Sequence, residues 1–172
     1  MRFHLQVVAL CLLPALGACD VPCEAAAELE ASPWRVFANL RDFELENRAR
    51  FPASSSPANG EHELALAFAA PGMAGAGATV EIDGQAFEGA ATFAERTCGG
   101  LDLSWSGTYY ADVEQGDEGA AHTFEASGTF LVAEGRLEGV VDYAEDWSVG
   151  TGDTAPTGSV TGEALFRGGA VE

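Results

Sequence analysis

The sequence predicts an all-β domain: an antiparallel meander of about eight strands in a small closed or nearly closed barrel, with a two-sheet β-sandwich as second choice. Three observations predict it. Apolar residues recur with period two over most of the chain. Short polar or glycine-bearing turns separate the apolar runs, several with a change of parity, as hairpin connections produce. Glycines also fall on the apolar register inside the runs, where they let a sheet bend tightly enough to close.

The runs follow in order. Trp34, Val36 and Ala38 share one register, which slips before Phe43 and Leu45. The loop "PASSSPANG" (52–60) leads to Leu64, Leu66 and Phe68, and "PGMAGAGA" (71–78) leads to Val80 and Ile82. Phe87, Gly89, Ala91 and Phe93 form the next face. From Leu101 the odd positions are apolar: Leu103, Trp105, Gly107, Tyr109, Ala111 and Val113. After "QGDEG" (115–119) the even ones take over, from Ala120 and His122 through Phe124, Ala126, Gly128 and Phe130 to Val132. Glu134-Gly135 turns the chain, and Leu137, Gly139, Val141, Tyr143, Trp147 and Val149 return to odd numbers. The last run is Val160, Gly162, Ala164 and Phe166. Gly89, Gly107, Gly128, Gly139 and Gly162 all lie on the inner face, with Trp105, Tyr109 or Phe130 expected over them. No stretch carries a helical period of useful length. "EAAAELEA" (24–31) is long enough for about two turns and serves equally as a tether.

The beginning of the chain differs. Arg2, the apolar run Val7 to Leu13, and the small residues Gly17 and Ala18 before Cys19 have the order of a secretion signal. The apolar centre is too short to span a bilayer. "Leu16-Gly17-Ala18-Cys19" resembles the lipobox of bacterial lipoproteins, a resemblance confined to about the first twenty residues. It implies cleavage before Cys19, diacylglycerol on its sulfur, and an extracytoplasmic place in the bacterial cell envelope on the inner or outer membrane. Two or more acyl chains hold a protein durably, at about 0.8 kcal/mol per buried CH₂. The domains expected are a signal peptide over 1–18, a lipid-anchored tether over 19–33 and one β domain over 34–172.

Cysteine arithmetic follows. Cys11 leaves with the signal and Cys19 carries lipid, so Cys23 and Cys98 remain. Two thiols in an oxidising compartment most simply form one disulfide. Closing 75 residues would stabilise by roughly 4 kcal/mol in the chain-entropy description. Two cysteines and scattered histidines offer no zinc ligand set.

Charge narrows the function. There are 27 acidic and 8 basic residues, no lysine among them, and removing Arg2 from the formal −19 leaves −20. Such a surface repels nucleic acid and anionic headgroups. Lysine's absence excludes Schiff-base, P-loop and Ser-Lys chemistry. The −20 also argues against a membrane β-barrel, whose outward apolar face would force the acids into a narrow lumen.

The residues that could carry chemistry are few. His62, in "Glu61-His62-Glu63", reads as a solvated strand entry. His122, Glu95 and Glu145 fall on the inward register against the apolar trend. A histidine and a carboxylate facing one cavity suit acid–base work or ligand binding, but places near strand ends predict a wet rim instead. The acidic clusters at 112–118 and at Glu145-Asp146 with Asp153 raise calcium, which takes six to eight oxygens. Neither has EF-hand spacing, and charged hairpin tips serve solubility. No metal site and no catalytic motif is visible. The expectation is a lipid-anchored, non-enzymatic β domain for binding a protein partner or for envelope structure. The alternative is a lipocalin-like carrier whose small apolar ligand lies inside the barrel against Trp105, Tyr109, His122, Phe124, Glu145 and Trp147.

Overall fold

A computed structural model describes residues 24–31, 33–46, 56–69, 76–93, 100–111, 120–149 and 157–171. Eight strands follow the apolar runs: β1 (Trp34–Glu46), β2 (Gly60–Phe68), β3 (Ala76–Ile82), β4 (Gln85–Phe93), β5 (Gly100–Ala111), β6 (Ala120–Ala133), β7 (Arg136–Val149) and β8 (Thr157–Ala170). Each pairs antiparallel with its sequence neighbour, and β1 also pairs with β8, so the meander closes into a barrel. The closing seam runs from Trp34↔Ala170 to Glu46↔Ser159. A register shift between Arg41 and Glu44, with Asp42 at φ 49°, accounts for the slip legible in the sequence. An extra residue there bends the strand where the ring must turn.

Two of the hairpins are two-residue turns, Asp83-Gly84 (φ 51° and 82°) and Glu134-Gly135 (φ 54° and 70°). Positive φ at both central positions is the type I′ geometry that matches the twist of paired strands.

The inner face alternates bulk with its absence. Across the ladders Gly89 stands opposite Trp105, Gly107 opposite Phe124, Gly139 opposite Phe130 and Gly162 opposite Tyr143. The ring of Phe87 covers Gly107, that of Phe130 covers Gly139, and that of Trp147 covers Gly158. Large side chains thereby fill a narrow lumen without pushing the strands apart. Trp105, Phe130 and Phe166 meet in tilted and edge-to-face contacts in the lower half. The exterior positions are mostly Glu, Asp, Ser, Thr and Arg, so the apolar face of every strand points inward.

The stretch expected as tether up to residue 33 contains α1 (Glu24–Ala31), which plugs one end of the barrel. Ala26 and Leu29 are one turn apart and fully buried. Trp34 Nε1 donates to the Leu29 carbonyl at 3.2 Å. Glu30 Oε1 accepts from Phe68 N–H at 2.7 Å, and Glu28 Oε1 from Gly135 N–H at 2.9 Å. An open barrel end leaves apolar side chains and strand-terminal amides facing water, and this helix covers both. Cys11, Cys19, Cys23, Cys98, Glu95 and Asp153 lie outside the described residues, as does the acidic cluster at 112–118.

Candidate functional site

The polar side chains of the barrel gather at the end opposite α1. The register brings them there. Tyr109, His122 and Trp147 form one row across β5, β6 and β7, and Phe124 and Glu145 share the row beneath. Tyr143 precedes Glu145 by two residues on the same strand, hence on the same face. Ser56 enters from the segment before β2, whose residues 56 to 58 are buried.

Glu145 is the centre, 2 % exposed. Its Oε1 accepts from the Tyr109 hydroxyl at 2.8 Å and lies 2.7 Å from His122 Nδ1. Its Oε2 accepts from the Tyr143 hydroxyl at 2.5 Å, with the Ser56 hydroxyl at 3.2 Å. Facing a carboxylate oxygen, Nδ1 is the nitrogen that carries the ring proton. Desolvating a carboxylate costs several kcal/mol, and four converging donors offset that cost. The expected wet rim is therefore corrected: His122 and Glu145 are fully enclosed and joined.

Burial, and next the neighbouring charge of Glu145, push the Tyr109 and Tyr143 phenols far above the ordinary tyrosine range. Both therefore stay protonated donors at neutral pH. His122 stacks between Tyr109 (4.9 Å, 22°) and Trp147 (5.7 Å, 24°), and its Nε2 has no hydrogen-bond partner among the described residues. Phe124 stacks on Tyr143 at 5.8 Å. The six residues expected to face a ligand thus all lie inside the barrel. Five of them, Tyr109, His122, Phe124, Glu145 and Trp147, adjoin at this end, while Trp105 joins the lower aromatic group.

Chemically the cluster is closed. Ser56 touches Glu145 and Tyr143, and its hydroxyl also accepts from Ala58 N–H at 3.4 Å. A serine nucleophile needs a base at its own hydroxyl and a path for substrate, and Ser56 is 0 % exposed. The arrangement ties the segment before β2 into the barrel end through one carboxylate. Sequence reasoning missed two members. Tyr143 counted only as an inward aromatic, although its spacing from Glu145 was the available signal, and Ser56 carried no signal within its small-residue loop.

His62 is likewise corrected from a solvated strand entry to a buried bridge. Its Nδ1 lies 2.7 Å from Asp83 Oδ2 and its Nε2 lies 3.2 Å from the Asn59 carbonyl. Asp83 Oδ1 also accepts from Glu63 N–H at 2.8 Å. The ring thus joins the segment before β2 to the β3–β4 turn. Glu145 and Asp146 point to opposite sides of β7, one buried and one exposed, and do not form one oxygen cage. Among the described residues, no group of three or more His, Cys, Asp or Glu is placed to hold a metal ion.

The outer wall also carries a depression. An open groove of about 700 Å³ crosses β4 to β8, with Ser104, Ser127 and Ala144 along its floor and Glu88, Glu125 and Glu163 among its acids. Gly89 and Gly162 also line it, two of the positions where the inner face carries no side chain. Comparison of the chain with protein families, curated proteins and solved structures finds no match.

Proposed function

We propose that the chain is a lipid-anchored lipoprotein of the bacterial cell envelope, carrying acyl chains on Cys19, with a non-enzymatic β domain that binds a partner through its outer wall or serves envelope structure. The address rests on the order of Arg2, the apolar run, Gly17, Ala18 and Cys19. The observation that carries the functional half is the filled interior. Trp105, Phe124, Phe130, Phe166 and Trp147 pack against one another or their neighbours across the lumen, and Glu145 with its donors occupies one end. An apolar cargo would have to displace these contacts, which weighs against a carrier. The Cys23–Cys98 disulfide belongs to the same proposal and would pin the anchored segment to the domain.

Expression in a lipoprotein-competent bacterium with radiolabelled palmitate tests the address. Wild type should take label and fractionate with membranes, and Cys19→Ser should do neither; an unlabelled wild type removes the anchor. Native mass spectrometry of protein released from its own host tests the filled interior. A reproducible added mass of a small apolar molecule would restore the carrier reading.

A further inference from the structure

An outward apolar patch stands on the wall near the α1 end. Two adjacent rows cross β6, β7, β8 and β1: Leu131–Glu138–Arg167–Phe37 and Thr129–Val140–Leu165–Asn39. Val140 and Leu165 face each other directly, and Leu131 and Phe37 lie on their diagonals, within reach of contact. Phe37 is 58 % exposed, Leu131 62 % and Val140 41 %. Phe43 on β1 and Tyr110 on β5 are the other exposed large apolar side chains among the described residues; otherwise the outer face of these strands is mostly Ser, Thr, Asp and Glu, so the four apolar residues form a local cluster.

Charge departs there too. Arg35, Arg136 and Arg167, three of only eight basic residues, lie in these rows or in the next one toward α1. Arg167 pairs with Glu138 at 2.6 Å and Arg35 with Glu61 at 3.5 Å. The patch is thus near neutral on a strongly acidic protein. Exposed acids border it as well: Glu134 on the neighbouring turn, Glu28, which accepts from Gly135 N–H, and Asp102, which accepts from the Thr129 hydroxyl.

Chain length says what this patch meets. Cys19 is five residues before Glu24, where α1 begins, and five residues reach at most about 17 Å. The patch is two to five residues from the same rim, roughly 7 to 17 Å along a strand. Resting on the lipid-anchor reading, we infer that Phe37, Leu131, Val140 and Leu165 dock on the surface of the bilayer that holds Cys19, bringing only the α1-proximal ends of β6, β7, β8 and β1 against it. The contact is apolar insertion at headgroup depth, about 5–10 Å, and near neutrality spares it the repulsion that the rest of the wall meets. The opposite wall and the acidic groove's β4 and β5 rim then face away from the membrane.

The three native tryptophans are buried, at 0 to 3 % exposure, so a fourth reports its own surroundings. Lipidated protein carrying Phe37→Trp, Leu131→Trp or, on the far wall, Thr79→Trp is reconstituted in zwitterionic phosphatidylcholine vesicles with and without brominated acyl chains. Flotation is measured on the same samples. The expected result is flotation of all three, with about twofold added quenching for Phe37→Trp and Leu131→Trp and little for Thr79→Trp, as for aromatics seated at an interface. Flotation with equal quenching at all three sites, or at none, overturns the docking and leaves the anchor intact. Failure to float overturns the anchor and the docking with it. A lipid-independent blue shift at Phe37→Trp, together with a dimer by sedimentation, would assign the patch to a second copy of the chain instead.

Discussion

At the scale of single residues, the decisive choice is one carboxylate in a lumen that otherwise holds aromatics and aliphatics. Glu145 receives both tyrosine hydroxyls, His122 and Ser56, and its removal strands several buried donors together. Glu145→Gln keeps the shape but sets an amide donor against hydroxyl donors, so unfolding free energy in urea should fall by about 2–4 kcal/mol. The tyrosines predict a pH dependence with a definite sign. Their folded values are raised by burial and by the Glu145 charge, so the unfolded chain loses those protons first. The stability they contribute is whole below about pH 10 and declines as pH rises past it. Melting temperature should therefore drop steeply above that pH, and phenolate absorbance from Tyr109 and Tyr143 should appear only with unfolding. Early, reversible ionisation of both would mean that the cluster is open to water.

At the scale of elements, the strands were legible because a period of two is printed directly in the residues, and most changes of parity marked a hairpin. The slip between Ala38 and Phe43 corresponds to the register shift found between Arg41 and Glu44. The helix was less legible. Ala26 and Leu29 make a stripe only one turn long, and nothing in "EAAAELEA" says that an open barrel end awaits it. The inward glycines were read as bends, but their partners follow from ladder register, which sequence alone leaves open. Gly128 shows the constraint most severely. A Cβ there would sit 2.2 Å from the Val140 carbonyl oxygen and 2.7 Å from Val141 Cα, both backbone atoms. A Cβ at Gly169 would meet nothing nearer than 3.5 Å. Gly128→Ala should cost at least about 2 kcal/mol by chemical denaturation, while Gly169→Ala stays within about 0.5 kcal/mol of wild type. Equal effects would mean that β6 and β7 approach less closely than described here.

At the scale of the whole molecule, charge and closure set the behaviour. A formal −19 on the chain repels itself, and salt within a Debye length of about 8–10 Å relieves that strain. The melting temperature should rise between about 10 and 200 mM sodium chloride at neutral pH, where surface repulsion is progressively screened. A flat response would mean that the acids are already compensated. The barrel itself was foreseen from interior glycines and short turns, whereas the enclosed Glu145 cluster was not. Position near a strand end suggested water at His122 and Glu145, but α1 and the buried residues 56 to 58 stopper the two ends of the lumen. Stoppers contributed by segments outside the strand pattern leave no periodic trace.

The seam between β1 and β8 has one more consequence. With every strand flanked on both sides, none of the described strands offers a wholly unpaired edge for another chain to extend, so many copies crowded on a surface would resist zipping into fibres while the ring stays shut. Loosening that single seam, rather than exposing the core, is the step by which such a chain would begin to aggregate.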